Sequence, residues 1–134
     1  LFAHYSGRLS WPLELREVDI RRKLPPEQMQ EEEAAQLLAL VPDGAIAVVL
    51  DERGKTLSSA EFAGRIGTWR DDGIRDIVFM IGGADGHHDR VRNRADLLFS
   101  LGRATWPHML VRGMIAEQLY RAQQILAGHP YHRE

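Results

Sequence analysis

Ala45-Ile46-Ala47-Val48-Val49-Leu50 is an unbroken apolar run of small and β-branched residues, bounded on its near side by the turn-forming Pro42-Asp43-Gly44. A half-exposed strand would alternate apolar with polar residues, so a run with no polar position reads as a strand covered on both faces, as in parallel sheets. Parallel strands need crossovers, and the flanking sequence supplies them. Upstream, Glu27 to Leu40 reads as a helix with Met29, Ala34, Leu37, Leu38 and Val41 on one side and Glu31 to Glu33 turned to solvent. Downstream, Asp51 to Leu57 is expected to be a loop. Ser58-x-x-Glu61 is then a capping box, opening a helix with Phe62, Ile66 and Trp69 inward, which Gly73 ends. Asp76 to Ile81 is a second buried-type strand and runs into Gly82-Gly83-Ala84-Asp85-Gly86. Strand, helix, strand and glycine loop in that order predict an α/β fold. Ligands of such sheets settle beyond the carboxyl ends of the strands, here Leu50, Gly82 and the segment Leu101 to Trp106.

The C-terminal third repeats the pattern. Arg90 to Asp96 reads as a short polar helix, Leu97 to Leu101 as a strand, and Pro107 to Ala127 as a long helix with Pro107 at its first position. Val111, Ile115, Leu119, Ala122 and Leu126 make one stripe, and Leu110, Met114 and Ile125 an adjacent one. Gly113, Ala116, Tyr120 and Ala127 form a third face that lets another backbone approach, either inside the chain or from a second subunit. Gly128 stops the helix. At the other end, Leu1 to Ser10 reads as the close of a helix, and Leu13, Leu15, Val18 and Ile20 as a short strand before Arg21-Arg22-Lys23 and the two prolines.

The 134 residues fit a single domain, 1–134. A balance of 17 Lys and Arg against 19 Asp and Glu, with 44% hydrophobic residues, excludes disorder and argues against a protein that coats nucleic acid by bulk charge. No run is long and apolar enough to span a bilayer and no signal pattern opens the chain, so a soluble, cytoplasmic protein is expected. The lack of cysteine removes disulfides, thiolate nucleophiles and Cys-ligated zinc. His87, His88, His129 and His132 lack the spacing of a zinc motif, so no metal is expected. Ser58, Ser59 and Ser100 sit in no nucleophile elbow. The glycine loop matches neither the dinucleotide fingerprint nor the phosphate loop with its Lys; alone, it is either a ligand-holding loop or a tight turn.

Leu-Asp-x-x-Gly-Lys at 50–55, Ile-Gly-Gly-Ala-Asp-Gly at 81–86 and Thr-x-Pro-His at 105–108, together with Glu117-Gln118-Leu119-Tyr120-Arg121-Ala122 and the terminal His129-Pro130-Tyr131-His132-Arg133-Glu134, resemble the signatures of the RlmH family. These SPOUT-class enzymes use S-adenosylmethionine to methylate N3 of a pseudouridine in large-subunit (23S) ribosomal RNA. The resemblance implies a doubly wound, mostly parallel sheet with a C-terminal trefoil (α/β) knot and an active site completed across a homodimer. It also implies a first strand ahead of the N-terminal helix, which this sequence lacks. The cofactor would be held by Leu50, Gly82, Gly83, Leu101, Gly102, Arg103, Ala104, Thr105 and Trp106, mainly through backbone. Ribosomal RNA, within the assembled ribosome, is the expected partner.

Loss of the N3 proton gives the tail its expected roles. His132 is the candidate base, Arg133 the group that grips RNA oxygens, and Tyr131 the ring that stacks on a splayed base, with His108 and Arg112 next in line. The alternative is a non-catalytic ribosome-binding module on the same fold. A third reading, a nucleotide-binding enzyme, lacks the motif Lys and its acidic partner.

Overall fold

The computed structural model describes residues 2–8, 11, 16, 23–82, 86–102 and 106–128. They fall in two compact units, one of Leu1–Leu15, Leu57–Gly73 and Thr105–Glu134, the other of Arg16–Thr56 and Ile74–Ala104.

The second unit is a sheet with helices. It holds α2 (Pro26–Ala39), β1 (Ile46–Lys55), β2 (Ile77–Ile81), α4 (Asp89–Arg94) and β3 (Leu97–Phe99). Its three strands are parallel in the order β2-β1-β3, with the apolar run at the centre. Ala47, Val48 and Val49 have no exposed surface, as an uninterrupted apolar strand requires. Ala47, Val49 and Met80 cluster with Ala34 of α2 and Val91 of α4, and Leu37, Leu38 and Val41 pack on the edge of that cluster. The start of β1 is tied to the start of β3 by Asp96, whose carboxylate accepts the Ala47 N–H at 2.8 Å while its own N–H donates to the Ala47 carbonyl.

Two strand boundaries differ from the sequence-based expectation. Residues 51–55 are not a loop: β1 passes a bulge after Leu50 and resumes at Lys55, which pairs with Phe99. Gly54 explains how, because a Cβ there would lie 2.5 Å from the Leu98 carbonyl oxygen, and only a residue without one lets β3 come that close. β3 in turn stops at Phe99, two residues short of Leu101, where the chain bends.

The first unit is helical and contains α1 (Phe2–Ser6), α3 (Ser59–Asp71) and α5 (His108–Leu126). The predicted capping box opens α3: the Ser58 hydroxyl accepts the Glu61 N–H at 3.0 Å and the Glu61 carboxylate accepts the Ser58 N–H at 2.8 Å. Those bonds also hold the Glu61 carboxyl below its usual titration range. α5 packs on α3 and α1. Leu126 faces Gly67, Ser59 donates to Gln118, and Tyr5 and Tyr120 lie ring to ring at 6.0 Å.

Pro107 is the residue before α5 rather than its first turn, a one-residue difference at a helix end. Ala116 and Gly113, expected on a face open to another backbone, are buried within the single chain. Gly73 and Gly128 take the positive φ that ends α3 and α5. The strand expected over Leu13 to Ile20 lies outside the described residues, apart from Arg16. No helix of the described residues is long and apolar enough to cross a membrane.

Candidate functional site

Parallel pairing aligns the strand ends. Leu50, the last residue of β1 before its bulge, is in register with Ile81 on one side and Phe99 on the other, so it lies beside the carboxyl ends of β2 and β3, where Gly82 and Ser100–Gly102 follow. This is the edge at which α/β folds bind their ligands.

Each of these three points is held by its own device. Behind Leu50, the Asp51 carboxylate, 5% exposed, accepts a 2.6 Å bond from Arg92 Nε and a 2.9 Å bond from the Arg53 N–H. Burial raises the affinity of Asp51 for a proton, but these two bonds and the positive charge of both arginines outweigh it, holding the carboxyl below its ordinary value. Arg92 also reaches Asp89, one turn back in α4, at 2.9 Å, so the side chain that fastens α4 to the residue after Leu50 is itself braced within its helix. The same partners hold the guanidinium more firmly protonated than usual.

At the second strand end, Gly82 faces the ring of His87. A Cβ at Gly82 would stand 3.2 Å from the ring and 3.2 Å from the Gly86 carbonyl carbon, a fit that only glycine allows without displacement. The His87 side chain is 3% exposed and its Nε2 lies 3.2 Å from the Met80 carbonyl oxygen. Burial is the main reason its pKa is pushed below the usual imidazole value; the Met80 bond, Glu33 and Asp51 pull the other way, and Arg92 adds to the lowering. Its neighbour His88 has a simpler part, its Nδ1 accepting the Arg90 N–H as the cap of α4.

At the third end, the Ser100 hydroxyl accepts the Gly102 N–H at 3.0 Å and donates to the Gly102 carbonyl at 3.2 Å. Gly102 has φ of +105° and open space where a side chain would stand. The result is an edge where the apolar Leu50 lies beside the Gly82 and Gly102 backbone, with open space at Gly102 where a side chain would stand. Such a surface suits a ligand recognised by main-chain groups and apolar contact.

A family model described as "Predicted SPOUT methyltransferase" matches residues 1–132. The chain belongs to this family. Curated relatives of the SPOUT chain carry the name ribosomal RNA large subunit methyltransferase H. The protein of Rhodospirillum centenum is 63% identical over 133 residues, 99% of this chain and 88% of its own. That of Paramagnetospirillum magneticum is 57% identical with the same coverage. That of Rhizorhabdus wittichii is 47% identical across 100% of this chain and 86% of its own.

Of the site residues expected for a SPOUT enzyme, the structure brings together Leu50, Gly82, Leu101 and Gly102. Trp106, in the helical unit, is exposed just before α5. Gly83, Arg103, Ala104 and Thr105 lie outside the described residues, as do Tyr131, His132 and Arg133. Sequence reasoning missed the parts played by Asp51, Arg92, His87 and Ser100. Asp51 had a visible signal, its place in the Leu50 to Lys55 motif; the others have none, because their partners are distant in sequence or their role is a bond to backbone.

Proposed function

We propose that this chain transfers a methyl group from S-adenosylmethionine to N3 of a pseudouridine in large-subunit ribosomal RNA, working as a homodimer whose C-terminal part is knotted. Family membership and the relatives' names support the coarser part, a SPOUT methyltransferase acting on large-subunit ribosomal RNA. For the cofactor, the supporting observation is the convergence of Leu50, Gly82 and Ser100–Gly102 at one sheet edge, with open space beside Gly102. S-adenosylmethionine, when bound, supplies a methyl group on a sulfonium centre, open to attack by a nitrogen lone pair.

This chain's residues do the rest. Leu50 would pack on the apolar part of the cofactor, and the backbone of Gly82, Gly83 and Leu101 to Trp106 would orient it. His132 would take the proton from N3. Arg133 holds RNA oxygens by charge-assisted bonds, and Tyr131 stacks on the displaced base. The apolar residues Trp106, Met109 and Leu110, at 40%, 70% and 38% exposure around the start of α5, support the dimer.

Calorimetric titration with S-adenosylmethionine and methyl incorporation into unmethylated ribosomes test the reading. Removing residues 131–134 should leave cofactor affinity intact and lower methylation by about 10²-fold or more, the range for one acid-base group. Full activity in the truncated chain would leave the tail no catalytic part and make His108 and Arg112 the next candidates.

A further inference from the structure

His87 stands where the glycine loop returns to the sheet. The sequence around it, Gly86 to Asp89, is polar, yet its ring is buried and packed between the two ends of the loop. It follows Gly86 on the returning limb, bonds the Met80 carbonyl of the outgoing strand at 3.2 Å, and meets the space beside Gly82 at 3.2 Å. Its other nitrogen, Nδ1, has no hydrogen-bond partner among the described residues. An apolar side chain of similar volume would fill this space without burying a bare nitrogen, so the ring's hydrogen bond is what distinguishes histidine here.

We propose that His87 is a positioning residue for the glycine loop, fixing the Gly82 backbone against β2 through its bond to Met80 and thereby setting affinity for the methyl donor without touching it. This rests on the reading that the loop holds the donor. A carbonyl only accepts, so the ring must carry its proton on Nε2 and donate it. Burial keeps the ring neutral; Glu33 of α2 and Asp51 of β1 favour a second proton, and Arg92 of α4 opposes it. Leucine fills the same space but has no donor, whereas the glutamine amide nitrogen can replace Nε2.

The test compares the wild-type chain with His87→Leu and His87→Gln, by calorimetry with S-adenosylmethionine and by steady-state methyl transfer to ribosomes. The Leu variant should raise KM for the donor about tenfold, the equivalent of one hydrogen bond, with kcat nearly unchanged. The Gln variant should recover most of that loss. Equal KM in the wild type and the Leu variant, or a fall in kcat alone, overturns the proposal. Should the Leu variant not fold, nitrogen NMR of the wild-type imidazole decides: an Nε2–H tautomer whose proton exchanges more slowly with donor bound supports it. An Nδ1–H tautomer, or exchange indifferent to the donor, refutes it. If the wild type gives no heat with S-adenosylmethionine, the donor reading falls and this proposal with it. If the wild type binds and the Leu variant binds as tightly, only the role of His87 falls.

Discussion

Gly54→Ala adds one methyl group at the point where two strands touch. The new carbon would stand 2.5 Å from the Leu98 carbonyl oxygen, 2.6 Å from its carbon and 2.7 Å from the Phe99 nitrogen. Non-bonded carbon contacts settle near ~3.5 Å or beyond, so β1 and β3 must part by about 1 Å. The obstructing atoms are backbone, which cannot rotate aside as a side chain would. Overpacking of this kind costs about 1–3 kcal/mol. The Ser100 N–H bond to the Lys55 carbonyl, 2.9 Å long, lies just beyond the contact and would stretch with it, adding about 0.5–1.5 kcal/mol. A loss of roughly 2–4 kcal/mol should appear in urea denaturation as a midpoint about 1–2 M lower, for a slope near ~2 kcal/mol/M. The direction is diagnostic. Gly54 is not among the glycines with positive φ, so alanine in a relaxed loop would instead stabilise by about 0.4–1 kcal/mol through the unfolded chain. A midpoint unchanged or raised would refute the close approach of β3.

Asp51→Asn should destabilise by about 1–2 kcal/mol at neutral pH, the value of a charge-assisted bond reduced for the partial exposure of Arg92. Because the folded carboxyl titrates below its ordinary 3.8, its contribution is complete above that value and is lost as pH falls toward the folded pKa. The Asn variant should lack that acid-side slope in denaturation measured from pH 6 down to about 2. Ser58→Ala should cost about 1 kcal/mol by removing half of a reciprocal cap, read as a lower melting temperature with cofactor affinity unchanged. Met109→Glu should shift the light-scattering mass toward the monomer and reduce methylation per chain, and a monomeric wild type would remove the dimer from the proposal.

What could be read from the sequence divides by the range of the interaction. The capping box at Ser58 and Glu61, the helix stops at Gly73 and Gly128 and the buried centre of the apolar run, Ala47 to Val49, are local statements, and each stands in the structure as read. The continuation of β1 to Lys55 could not be read, since Asp51-Glu52-Arg53-Gly54 has a turn's composition and becomes a strand only because β3 arrives beside it. His87 was equally opaque: a histidine in polar sequence looks solvated until the fold wraps Gly82 around it. The small residues of α5 predicted close packing but not its partner, and Ala116 is satisfied within the chain.

The strand order carries a kinetic consequence. β1 meets β2 through Ile46 and Ile77, 31 residues apart, and β3 through Val48 and Leu97, 49 apart, so neither pairing is a hairpin that can form early. Loop closure must precede every ladder bond, which places sheet assembly late and makes it slow relative to α3, whose cap is complete within four residues. Leu50, Gly82 and Gly102 become neighbours only when both closures have occurred. An edge built this way does not exist in any partly folded chain, so a ligand captured there would act on the folding equilibrium of the whole cooperative unit rather than on one loop.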